Sequence, residues 1–188
     1  TIPGLTTTTK KQTPAPDDDS AETSIPPRFL ESPTATLDTF LKAVKDKNYE
    51  RALGCFEMPD KTTISSTNKI RANRLASYLN HLGYIPGVNQ GIPDTSNKDA
   101  KTFSLFPAPT TAAPGTIKRS NALMEFSNGR GTISMTRDTK DENGAWLFDT
   151  KTLSDQNMQI LQEADLALIN SDPDLQKSSE LGVYDGPS

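Results

Sequence analysis

Proline placement partitions this chain before any other pattern is read. Six of its 14 prolines, the Thr6–Thr9 run and the Asp17–Asp19 run all precede Thr34. Such a stretch buries too little apolar surface to offset the entropy of ordering its backbone, so residues 1–31 are expected to be a disordered Thr/Pro/Asp-rich tether. Asn170–Ser188 holds Asp172, Pro173, Gly182, Gly186 and Pro187 among few apolar residues and reads as a polar tail. Residues 32–169 then form one candidate domain, a size at which a single core buries roughly two thirds of the unfolded surface.

Several function classes become poor fits at once. With 20 Lys+Arg against 24 Asp+Glu the net charge is -4, whereas a nucleic-acid interface normally needs a basic face. No apolar run approaches the roughly 18 residues of a membrane helix. The single cysteine, Cys55, can form neither an internal disulfide nor a Cys-based metal site, and the single histidine, His81, removes most imidazole chemistry.

The candidate domain begins with helical spacing. Ser32 can cap and Pro33 suits the first helical position, while Leu37, Phe40, Leu41 and Val44 follow the i, i+3, i+4, i+7 rule. Tyr49, Ala52, Leu53 and Phe56 repeat that spacing until Pro59. A third helix runs from about Ser66 to Leu82, with Ala72, Leu75, Ala76, Leu79 and Leu82 on one face and Gly83 as its stop. Thr102–Phe106 then reads as a short strand, and Pro107, Pro109, Pro114 and Gly115 as a loop of the kind that carries function or stays poorly ordered. Ala122, Met124 and Phe126 alternate with more polar residues, Asn128–Gly129 suits a type I′ turn, and Ile133 and Met135 alternate on the returning strand. Trp146 and Phe148 share one face of a third strand. Ser154 or Thr152 can cap a last helix bearing Met158, Leu161, Ala164 and Leu168. The fold expected is α+β: N-terminal helices packed on a curved antiparallel β-meander, with a closing C-terminal helix.

Each chemical signature has a simpler explanation. Gly129, Gly131 and Ser134 imitate a nucleotide loop but fall on an expected hairpin, where backbone amides would not converge on a phosphate. Thr139–Gly144, with Asp141 and Asn143, resembles the front of a calcium loop, yet lacks an acid at the first ligand position and has Thr150 where a bidentate Glu belongs. Asp17, Asp18 and Asp19 lack fixed geometry. The Asp141–Glu142 pair falls in a solvated loop, without the apolar pocket a glycosidase dyad would need. Cys55 sits beside Leu53 and Phe56 as a small hydrophobe, and His81 falls in a last helical turn, where the macrodipole favours its positive form. No catalytic, cofactor-binding or metal-ligating residue is expected, and no cofactor.

A resemblance adds what composition cannot. The run from Ser32 through Leu37, Phe40 and Ala43, followed by Asn48-Tyr49-Glu50-Arg51-Ala52, resembles the start of the extracytoplasmic N-terminal domain of some bacterial MscS-like mechanosensitive channels. Arg74–Ile85 is similar to that family's second helix and its hydrophobic exit. Gly144-Ala145-Trp146-Leu147-Phe148 with Thr152-Leu153 is similar to its closing strand and following helix. The insert around Thr102 to Ile117 has no counterpart, and no pore residue can be carried over. The resemblance implies a noncatalytic regulatory or assembly domain, periplasmic or otherwise extracytoplasmic, in a homo-oligomer held together by a membrane portion expected beyond Ser188. The helix, gap and Tyr-Glu-Arg-Ala phrase is also similar to NTF2-like domains. That makes a secreted or lipid-anchored NTF2-like binding module the alternative, ahead of a small NTF2-like enzyme.

Overall fold

In a computed structural model of the protein, residues 25, 27–57, 64–88, 91–92, 100–138 and 144–180 are described. The architecture is α+β, with six helices and a three-stranded antiparallel sheet among the described residues. Helix α1, Pro33–Lys45, starts as expected, Ser32 Oγ accepting from the Ala35 N–H at 3.1 Å with Pro33 in the first turn. Helix α2, Tyr49–Leu53, is capped by Asn48. Helix α3, Ser66–His81, ends where Gly83 adopts φ +101°, so that the Tyr84 N–H reaches the Leu79 carbonyl at 2.9 Å.

The sheet differs from the expected meander. Its strands are β1 Thr102–Phe106, β2 Ile133–Arg137 and β3 Trp146–Phe148, in that spatial order. Residues 122–126, expected as a strand, lie in helix α4, Pro114–Phe126. The reason is local. Pro114 opens that helix, and Thr116, Ser120 and Leu123 form its buried face, a stripe too polar to register as hydrophobic periodicity. Asn128 and Gly129 do take positive φ, 53° and 69°. They use it to end the helix, with the Gly129 N–H on the Met124 carbonyl at 2.8 Å and the Asn128 N–H on the Glu125 carbonyl at 3.1 Å. A left-handed pair serves a type I′ turn and a helix terminus alike. The proline-rich stretch after β1 is likewise tied down, since the Ala108 N–H donates to Ser120 Oγ at 2.8 Å.

The described structure reaches beyond residues 32–169 at both ends. Leu30 is a core residue, placed after a 3-10 turn at Pro27–Phe29. At the other end helix α5, Asp155–Ser171, is followed by α6, Pro173–Glu180, in place of the first part of the polar tail. Asp172 caps α6 through the Asp174 N–H at 3.0 Å and accepts from Arg119 Nε at 3.1 Å, and Leu175 is buried. Burial pushes the Asp172 carboxyl up, but those hydrogen bonds and the Arg119 charge outweigh it and leave its pKa lowered. Of the tether expected at residues 1–31, residues 1–24 and 26 lie outside the described residues, as do the last eight residues of the chain.

Strand β3 joins the two halves of the chain. The Trp146 N–H donates to the Leu30 carbonyl at 2.8 Å, and the Trp146 carbonyl accepts from Thr36 Oγ1 at 2.7 Å. The Phe148 N–H donates to Cys55 O at 2.8 Å and its carbonyl accepts from the Glu57 N–H at 2.9 Å. Segments before and after α1 and α2 thus saturate the backbone of an edge that would otherwise be open for pairing. On the inner face Phe148 stacks on Phe56 at 4.9 Å between ring centroids, and Phe40 meets Phe148 edge-on at 5.1 Å. Ile133, Met135 and Trp146 complete that face, all at most 1% exposed.

Candidate functional site

A groove of about 350 Å³ runs between α1 and the segment that follows α3. Helical spacing puts Leu37 and Leu41 on its floor, joined by Tyr84 and Ile92, while Ile85 and Val88 stand on the rim, each 53% exposed. Asp38 fastens the two walls. One carboxylate oxygen accepts from the Gly87 N–H at 2.6 Å and the other from Lys42 Nζ at 2.6 Å. The Tyr84 hydroxyl donates to the Leu105 carbonyl at 2.8 Å, and burial raises its pKa. Its proton is therefore committed to the fold. Glu31 is the remaining acidic side chain of the lining. Thr34 Oγ1, also at the groove, is buried without a hydrogen-bond partner, a local cost of about 1–3 kcal/mol. The groove thus has an aliphatic floor and a partly polar lining in which Asp38 and the Tyr84 hydroxyl are engaged in the fold and Thr34 Oγ1 is left buried and unpartnered, an arrangement that can hold a largely apolar group.

The chemically suggestive residues lie apart from it. Cys55 is fully buried, with Sγ 3.5 Å from the Arg51 carbonyl. Burial pushes its thiol pKa up to about 12, against the opposing pull of the Arg51 charge. Cys55 in the folded protein should therefore resist iodoacetamide at pH 8 and be alkylated after denaturation, as read by intact mass. Equal alkylation rates in the two states would show a thiol that opens freely to solvent.

His81, in the last turn of α3, reaches across to another helix. Its Nδ1 lies 2.9 and 3.0 Å from the two oxygens of Asp165, a carboxylate buried on α5. Tyr78, one turn earlier on α3, has its pKa raised to about 12 by burial and then by the Asp165 charge, with Arg74 opposing. This is a polar seam between two helices. Arg71 with Asp155 and Arg74 with Gln162 extend it along α3 and α5. Asp165 is the residue that sequence reasoning missed. Its only sequence signal is an acid placed directly beside Ala164 on the apolar stripe of α5.

The glycine motif resolves into a helix terminus followed by a strand. Gly129 ends α4, Gly131 lies against Ile160 and Leu161, and Ser134 is in β2, so the order is the reverse of a phosphate-binding strand-to-helix turn. Asp141, Glu142 and Asn143 of the calcium-like loop, and Asp17–Asp19, lie outside the described residues. Among the described residues no group of three or more His, Cys, Asp or Glu side chains is placed to share a metal ion, and no helix is long and apolar enough to cross a membrane.

Comparison with known proteins gives no relative: no protein-family model matches the chain, and no curated protein or solved structure does.

Proposed function

We propose that this chain is a noncatalytic extracytoplasmic domain of an MscS-like mechanosensitive channel subunit, regulating or assembling a homo-oligomer whose conducting part lies elsewhere. The observation that carries the noncatalytic part is the filled inner face of the sheet. An NTF2-like enzyme would need polar or titratable groups projecting into a sheet-lined cavity, and here Phe148 packs its ring against Phe40 and Phe56 while Met135 and Trp146 are buried in the same core. The channel part is supported by the sequence blocks that carry the resemblance. Those blocks supply Leu37, Phe40, Ala52, Leu75, Leu79, Trp146 and Phe148, so the resemblance rests on residues that build the core of this domain.

The aliphatic groove along α1 favours one second reading, an NTF2-like secreted or lipid-anchored binding module that takes an apolar group between Ile85 and Val88. The gene separates the two. A channel subunit must encode several apolar segments of roughly 20 residues each, and a reading frame without them would sink the channel reading. In a subunit that has them, deleting residues 27–180 should leave a conducting channel with shifted gating, measured by patch recording at matched membrane expression. Loss of all current despite normal assembly would exclude a purely regulatory role.

A further inference from the structure

Two guanidinium groups flank one aromatic ring just before helix α1. The Arg28 Cζ lies 4.7 Å and the Arg51 Cζ 4.4 Å from the centroid of Phe29. The backbone that carries the ring is held, because the Phe29 carbonyl accepts from Thr39 Oγ1 at 3.0 Å. The base of Arg51 is fixed as well, its N–H donating to Asn48 Oδ1 at 3.1 Å. Attraction to the ring therefore offsets part of the mutual repulsion of two cations placed at one ring.

Neither guanidinium has a hydrogen-bond or ion-pair partner among the described residues. The other arginines behave differently. Arg71 and Arg119 hold Asp155 and Asp172, Arg74 holds the Gln162 amide, and Arg130 and Arg137 hold the Ser127 and Gly144 carbonyls. In a chain of net charge -4, these are the two arginines without a partner among the described residues.

We propose that Arg28 and Arg51, mounted on Phe29, form a binding site for a phosphate group. Each planar fork can donate two parallel hydrogen bonds to an oxyanion. A carboxylate offers two oxygens in one plane, and a second fork would have to share them, whereas the tetrahedral oxygens of a phosphate can give each fork its own pair. The edge of an aromatic ring carries the positive end of its quadrupole, so an anion at the Phe29 edge meets favourable potential from the ring and from both side chains. The phosphate can come from a small molecule or from a lipid headgroup, and the chemistry of recognition is shared.

The test uses the full chain in two arms. Inorganic phosphate is titrated at low ionic strength with the arginine Nε–H resonances as readout, and co-sedimentation is measured with phosphatidylcholine vesicles with and without phosphatidylglycerol. Saturable binding in the first arm identifies a free phosphate, and binding confined to phosphatidylglycerol vesicles identifies a headgroup. In the responding arm the double variant Arg28→Gln/Arg51→Gln should bind roughly ten-fold or more weakly. Arg28→Lys/Arg51→Lys, which keeps the charge and loses the fork, should fall between it and the parent. Lys101→Gln/Lys177→Gln, two exposed lysines on β1's approach and on α6, should bind as the parent does. Should the double variant be misfolded by circular dichroism, Arg28→Gln alone, at an exposed position, carries the comparison. No response in either arm, parental binding by the Gln variants, or an equal loss in the lysine variant would overturn the proposal.

Discussion

Truncating Trp146 to alanine should lower the stability of the protein by roughly 3–5 kcal/mol. Trp146 is the single tryptophan and is 1% exposed, the largest fully buried side chain of the described residues. Its backbone already bonds to Leu30 and Thr36, so the strand edge resists collapsing into the space that the indole would vacate. A cavity that cannot close adds its own cost to the lost transfer free energy. Trp146→Phe keeps an aromatic ring in the same place and should lose less. Guanidinium unfolding followed by circular dichroism measures both variants, the indole fluorescence being lost with the residue. A cost for Trp146→Ala under about 1 kcal/mol would mean that the ring is available to solvent or a ligand, and would remove the main support for a noncatalytic packed sheet.

Elements whose apolar residues face the core at a clear period were legible from sequence, and those built on polar faces were not. Helix α1 is readable because Leu37, Phe40 and Leu41 point inward behind a Ser-Pro start. Trp146 and Phe148 are readable because a three-residue strand shows its face in a single alternation. Helix α4 is not, since its buried positions include Thr116 and Ser120 while the more apolar Met124 is half-buried and Phe126 is 40% exposed. The pattern of hydrophobicity there reports the wrong face, and Asn128–Gly129 then supplies a plausible turn for the wrong partner. The groove was illegible for another reason. It is made by a loop returning to α1 through one hydrogen bond from Gly87 to Asp38, a contact spanning about fifty residues that no local spacing announces. The His81–Asp165 pair is of the same kind, two residues unremarkable on their own helices that become a seam only when α3 and α5 meet.

A last consequence of polar burial is that Asn157→Leu, a change that would look favourable on a hydrophobicity scale, should be among the most damaging in the protein. Asn157 is 8% exposed in the first turn of α5. Its Oδ1 accepts from the Thr132 N–H at 2.8 Å, and its Nδ2 donates to the Thr132 carbonyl at 2.8 Å and the Thr152 carbonyl at 2.9 Å. One amide thus stands in for the backbone pairing that the approach to β2 and the turn before α5 would otherwise lack. Leucine fills a similar volume but leaves one N–H and two carbonyls without partners, at about 1–3 kcal/mol for each buried group that water cannot reach. The net loss should be about 3 kcal/mol or more once the gain from the apolar side chain is included. Asn157→Asp separates lost bonds from lost shape. The carboxylate keeps the Thr132 N–H but faces the two carbonyl oxygens, which raises the folded-state pKa of the new acid above its unfolded value. Its deficit relative to the parent should therefore be largest near neutral pH and shrink as the pH falls through that raised pKa, where the protonated acid can donate to one carbonyl. Urea unfolding of the three proteins at pH 7 and pH 4.5 tests this. A loss within 1 kcal/mol for Asn157→Leu, or a deficit for Asn157→Asp that does not change with pH, would show that the amide network contributes far less than its geometry indicates.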